Sequence, residues 1–205
     1  MRLLCSLALL GLLAASAARA GEAGDLVFAD RGPWNMPDGP LVWVLDQKGP
    51  AVEGFQPLGQ GRITLDRIID ASDGKPALQL AEDTARTKRR IGPFPISGGD
   101  PALTFFLETT ARDMAALTGG SPFYIRNRLK DALFRGGKVV EDDGQRVAIF
   151  APFTEDKNKA RMFGFETLEL RFTLGDPKLP IRRMAAKTGP LAGDRPAYVS
   201  EMVLQ

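Results

Sequence analysis

The spacing of apolar residues changes twice along this chain, and those changes constrain its architecture most. Before Gly98-Gly99 and after Gly136-Gly137 the apolar residues alternate in short segments; between them they recur every third or fourth position. Asp100 is an N-cap residue, and Pro101 suits the first helical position, where its missing N–H costs nothing. Leu103, Phe106, Leu107, Thr110, Ala111, Met114 and Leu117 then share one helical face until Thr118-Gly119-Gly120 stops the helix. Ser121-Pro122 restarts a second helix by the same logic, with Ile125, Leu129, Ala132 and Leu133 as its stripe and Gly136-Gly137 as its end. Two helices joined by Gly-Gly-Ser-Pro predict a helical hairpin.

The flanks read as strands. Leu26 to Ala29 is a short strand, followed by a loop rich in Gly, Pro and Asp. Leu41 to Leu45 is a strand closed by Lys48-Gly49-Pro50. Arg62 to Ile69 places Ile63, Leu65 and Ile68 toward a core, Asp73-Gly74 marks a hairpin, and Ala77 to Ile91 continues with Leu78 and Leu80 on one face. After the helices, Lys138 to Glu141 and Gln145 to Phe150 flank Asp143-Gly144, another hairpin signal. Thr154 to Arg161 is a charged loop. In Thr167 to Leu174, Leu168, Leu170, Phe172 and Leu174 alternate with polar residues. Asp176-Pro177 turns the chain, and Ile181 to Ala186 and Tyr198 to Leu204 are the final strands. The expected fold is α+β: one domain over residues 21–205, an antiparallel sheet open as a half-barrel, with the mid-chain helical hairpin packed on or over one face.

Met1 to Ala20 reads as a cleaved signal peptide, with Arg2, an apolar run from Leu3 to Ala14, and the A-x-A site Ala18-Arg19-Ala20. The mature chain is then expected to begin at Gly21 in the bacterial periplasm, the alternative being an uncleaved signal that acts as an N-terminal anchor. Cys5, the single cysteine, departs with it, and the chain has no histidine. Arg2 and Arg19 also leave, so the 27 basic residues fall level with the 25 acidic ones. A neutral chain lacks the basic footprint of a nucleic-acid binder. Asn35, Asn127 and Asn158 all lack the N-x-S/T context, and no other apolar run is long enough for a second membrane span.

Ser-His and Cys-His nucleophiles need a histidine, and zinc sites lean on His and Cys, so no metal or cofactor is expected. Glu141-Asp142-Asp143 lacks calcium-loop spacing and reads as a solvated hairpin tip. Ser72-Asp73-Gly74-Lys75 and Lys187-Thr188-Gly189 match the S-x-x-K and K-T-G motifs of penicillin-binding proteins. That chemistry sets Ser and Lys one helical turn apart, whereas Asp73-Gly74 puts a turn between them. A small serine hydrolase using Ser72 and Lys75, or Ser97, stands as an alternative reading.

The basic groups carry more information. On a strand Arg86, Lys88 and Arg90 share a face; Arg126, Arg128, Lys130 and Arg135 decorate the second helix; and Arg182-Arg183 sits in a late strand. Such faces suit an anionic head group, or are solvated faces paired with local acids. The hairpin likewise has two readings. Phe106, Leu107, Met114, Leu129 and Leu133 either complete the core or line a lidded apolar cavity. The candidate ligand-binding residues are therefore Phe106, Leu107, Met114, Tyr124, Arg126, Arg128, Arg86, Lys88 and Arg90.

The order of strands, helical pair and strands from Leu41 to Leu204, behind a cleaved signal and without mature cysteine, resembles the periplasmic lipoprotein-carrier (LolA-like) family. Those proteins are open half-barrels whose concave face is lidded by helices and holds acyl chains. The chain departs from that pattern in having a strand and loop where the family has an N-terminal amphipathic helix, and no functional residue is carried over. The segment Thr118 to Arg128 looks specific to a family, with no known activity attached to it. The resemblance implies a carrier or binding protein for an apolar or amphiphilic ligand such as a lipid. The alternative from a different class is a non-enzymatic cell-envelope module whose sheet edge or basic helix docks a protein partner.

Overall fold

The computed structural model describes residues 21–31, 34, 36 and 39–205, so the signal-peptide reading lies outside the described residues. Four strands precede the helices: β1 (Leu41–Lys48), β2 (Gly59–Ile69), β3 (Pro76–Thr84) and β4 (Lys88–Pro95). Five follow: β5 (Lys138–Asp142), β6 (Gln145–Phe150), β7 (Glu169–Leu174), β8 (Arg183–Lys187) and β9 (Val199–Leu204). Each group is an antiparallel meander. The two are welded where β1 pairs with β9, Trp43 opposite Leu204 and Lys48 opposite Val199. The result is one open nine-stranded antiparallel sheet in the order β4-β3-β2-β1-β9-β8-β7-β6-β5. With its helices this is the expected α+β fold.

The helical hairpin forms where its signals place it, as α2 (Pro101–Thr118) and α3 (Pro122–Arg135). The Asp100 carboxylate accepts from the backbone N–H groups of Ala102 and Leu103 at 2.9 and 3.0 Å, satisfying donors that the first turn leaves open. Gly119 ends α2 in the left-handed conformation (φ 68°), which favours glycine, and its N–H donates to the Ala115 carbonyl. Ser121 caps α3 through its hydroxyl oxygen.

The core lies on the face of the sheet that α2 covers, where α2 touches β2 and β8; α3 packs on α2 and on a further helix, α1 (Glu22–Val27). Trp43, Leu45, Ile63, Leu65, Leu78 and Leu80 line that face from the first meander, and Phe150, Leu170, Phe172, Met184 and Met202 from the second. Phe106 of α2 stands edge-on to Phe172, with centroids 6.0 Å apart, and Phe150 does the same at 5.8 Å. Each such buried side chain stabilises the fold by roughly 1.5–3 kcal/mol relative to exposure. No described helix is long and apolar enough to cross a membrane.

Three expectations need correction. The strand expected at Leu26 to Ala29 is instead the end of α1 and the turn after it. Arg31 donates to the carbonyls of Leu26, Val27 and Ala29, closing the helix end, and Gly24 lies so close to the Leu133 carbonyl that a Cβ has no room. The continuous strand expected from Ala77 to Ile91 is two, because Thr84 takes the N–H groups of Arg86 and Thr87 onto its hydroxyl and turns the chain. Ile68 does not share the face of Ile63 and Leu65: alternation puts it on the opposite side, half-buried.

Candidate functional site

At the elbow between α2 and α3, the segment Thr118 to Ile125 faces a short 3₁₀ turn, Lys159–Arg161, and the Met162-Phe163 pair beyond it. Between them is a cavity of about 610 Å³, the size of a small-molecule site. Met114, Ile125, Met162 and Phe163 form its apolar wall; Ser121, Tyr124 and Asn158 add polar groups, and Arg161 is the one charged residue lining it.

Asp156 ties the two walls together. Its side chain is 1% exposed and accepts hydrogen bonds from the Tyr124 hydroxyl (2.8 and 2.9 Å), the Arg128 Nε (2.7 Å) and the Asn158 backbone N–H (2.8 Å). Burial alone would raise its pKa; the Asn158 N–H, the Tyr124 hydroxyl and the Arg128 charge outweigh it and hold the carboxyl below its ordinary range. Burial and the bond to Asp156 push Tyr124 up, so its hydroxyl stays a donor. Two helical residues and a loop thirty residues away are thus held in one frame.

Phe163 lines the cavity with φ 53° and is 49% exposed. An aromatic residue in the left-handed region costs roughly 1–2 kcal/mol and persists only where its surroundings impose it. Here the Phe163 carbonyl accepts from Ala192 N–H at 2.9 Å. The left-handed backbone thus holds a half-exposed phenylalanine at the edge of the cavity.

The expected site residues scatter. Met114 and Tyr124 line the elbow pocket, and Arg128 braces it from behind through Asp156. Phe106 is buried in the core against Phe172 and lines none of the cavities described, as the packing reading has it. Leu107 and Arg126 line a separate groove of about 310 Å³ with Phe28, Lys130 and Phe134. There Arg126 is forked onto Glu108, at 2.5 and 2.9 Å. Arg86, Lys88 and Arg90 do not form one face, because Arg86 lies in the β3–β4 turn. Lys88 pairs with Asp83 (3.2 Å), while Arg89 between them pairs with the buried Glu82 (2.6 Å). Asn158, Arg161, Met162 and Phe163 escaped sequence reasoning; the Met-Phe pair closing a charged loop is the one signal pointing to them.

A polar network beneath α2 was also not legible. Asp113 accepts from the Tyr198 hydroxyl and from Gln47 Nε2, both at 2.7 Å, and the Gln47 carbonyl oxygen accepts from Leu58 N–H. Desolvation, with the nearby Glu82 charge, raises the Asp113 pKa to about 6 against the opposing Tyr198 bond and Arg112. Burial and Asp113 push Tyr198 well above its ordinary value.

Ser72 and Lys75 fall in the exposed β2–β3 turn, where Ser72 donates to Asp70 (2.7 Å) and Lys75 pairs with Asp73 (3.2 Å) rather than with each other. Lys75 and Ser97 line a cavity of about 350 Å³ with Asp70 and Asp73. The Thr188 hydroxyl of the K-T-G match donates to the Gly189 carbonyl and accepts from Tyr198 N–H. Among the described residues no three His, Cys, Asp or Glu side chains cluster as metal ligands. No protein-family model, no curated protein and no solved structure matches the chain.

Proposed function

We propose that this chain is a periplasmic carrier or binding protein that holds an apolar or amphiphilic ligand, lipids included, in the elbow pocket. The carrying observation is the cavity of about 610 Å³ walled by Met114, Ile125, Met162 and Phe163. Methionine thioethers adapt to chains of varied shape, so two of them facing a strained phenylalanine favour loosely specified apolar cargo. The compartment rests on the signal-peptide reading of residues 1–20, and the order of strands and helices is the one on which the likeness to lipoprotein carriers rests.

The test uses the full chain expressed in a Gram-negative host. The periplasmic fraction should yield a protein beginning at Gly21, and solvent extraction of it should release an amphiphile in near-stoichiometric amount by mass spectrometry. An empty extract, together with failure to take up any dodecyl-chain probe, would overturn the proposal.

A second reading, an envelope interaction module, has its own observation. Phe123 and Phe134, 68% and 54% exposed, lie three turns apart on the outward stripe of α3 with Lys130 between them. Cross-linked capture of one stoichiometric partner, lost in Phe123→Ser/Phe134→Ser while probe uptake persists, would favour docking.

A further inference from the structure

The elbow pocket carries a single charge. No Asp or Glu lines it, and the one ionised group on its wall is Arg161. Among the described residues the Arg161 guanidinium has no ion pair and no side-chain hydrogen bond, and it is exposed. The nearest buried acid, Asp156, is already committed to Arg128 at 2.7 Å, to Tyr124 and to the Asn158 N–H, so its charge is balanced behind the wall. Three arginines of α3 are by contrast paired, Arg126 with Glu108, Arg128 with Asp156 and Arg135 with Asp131, while Arg112 and Lys130, the basic groups of the hairpin that have no ion pair among the described residues, do not line the pocket.

We infer, resting on the carrier reading above, that the ligand of this pocket is a single-chain monoanionic amphiphile, its head on Arg161 and its tail along Met114, Ile125, Met162 and Phe163. A guanidinium offers paired N–H donors that fit a carboxylate in the bidentate manner, so an anionic head gains a charge-assisted pair there that a neutral head does not. One unpaired guanidinium balances one negative charge. A zwitterionic head would also bring a cation, and no carboxylate lines the pocket to receive it. A neutral sugar head would leave Arg161 to water and gain no charge pairing from it. Long-chain fatty-acid carboxylates are the class that meets both the apolar wall and the single charge.

Three probes with the same tail separate charge from hydrophobicity: laurate, dodecyl maltoside and dodecyltrimethylammonium, each below its micelle-forming concentration, titrated calorimetrically into the mature chain. Laurate should bind tightest, and butyrate, which keeps the head but not the tail, should not compete with it. Arg161→Gln should weaken laurate about tenfold and leave dodecyl maltoside unchanged, and Arg161→Glu should reverse the order of laurate and dodecyltrimethylammonium. Arg161 is exposed, so neither variant threatens folding. Equal binding of laurate and maltoside in both the parent and Arg161→Gln would overturn the head-group assignment while leaving the carrier reading intact. Binding of none of the three would overturn both.

Discussion

The Tyr198 hydroxyl donates to the Asp113 carboxylate at 2.7 Å beneath α2, with Tyr198 fully buried and Gln47 donating to the same oxygen. Desolvation of that carboxyl, with the nearby Glu82 charge, outweighs the Tyr198 bond and raises its pKa to about 6. Between about pH 4 and pH 6 the folded chain holds a proton that the unfolded chain has released, so this group's contribution to stability is present at low pH and is lost as pH rises. The shift corresponds to up to about 3 kcal/mol. Urea unfolding of the parent and Asp113→Asn at several pH values should show the parent losing stability relative to the variant across that window. A parallel pH dependence in the two would contradict the assignment.

Asp156→Ala should cost about 2–3 kcal/mol, because it leaves Arg128 and Tyr124 facing a buried site without their acceptor. The loop from 154 to 163 should exchange its amide hydrogens faster, since its anchor to α3 is gone. Asp156→Asn, which keeps an acceptor oxygen, should cost less. Equal protection of the loop in the parent and Asp156→Ala would show that another contact positions the pocket wall.

Phe163→Gly separates stability from binding. Glycine occupies φ 53° without strain, and the lost ring is half exposed, so stability should not fall and should rise by up to about 1 kcal/mol. Uptake of a dodecyl-chain probe should weaken because a wall of the cavity is removed. A loss of stability in thermal melts, with binding unchanged, would assign Phe163 to packing.

The parts of this fold visible in the sequence are those set by local chemistry. Asp100, Gly119 and Ser121 mark the hairpin because caps and left-handed turns depend on the residues at those positions. Leu170, Phe172 and Leu174 mark β7 because one face is buried, while Thr167 and Leu168, expected to begin that strand, end a 3₁₀ turn instead. The β3–β4 turn stayed hidden because a threonine hydroxyl, not Gly, Pro or Asn, makes it. The six-residue α1 stayed hidden because its stability comes from Arg31 and from the close approach of Gly24 to α3, neither of which leaves a periodic trace. The weld of β1 to β9 joins residues about 160 positions apart. The pocket was half legible for the same reason: Met114 and Tyr124 lie on a periodic helix pair, but Met162 and Phe163 reach them from an aperiodic loop.

The Asp100 cap is the simplest check on the hairpin. Asp100→Ala removes the acceptor for the Ala102 and Leu103 N–H groups and should cost about 1–2 kcal/mol in denaturant unfolding. Asp100→Ser retains a capping oxygen and should restore most of it. It also removes a carboxyl whose second oxygen is buried without a partner among the described residues and whose pKa burial raises. If serine is no better than alanine, the cap is not what holds the start of α2.

The central claim, that an amphiphile enters the elbow of the helical hairpin, is tested most directly by the methionine methyl groups. Met114 and Met162, though buried, line the pocket, whereas Met184 and Met202, buried on the sheet, are not among its lining residues. Titrating laurate into chain labelled with ¹³C at the methionine methyls should shift the signals of Met114 and Met162 in step and leave those of Met184 and Met202 in place. Shifts confined to Met184 and Met202, or no shift at any of the four, would contradict the account.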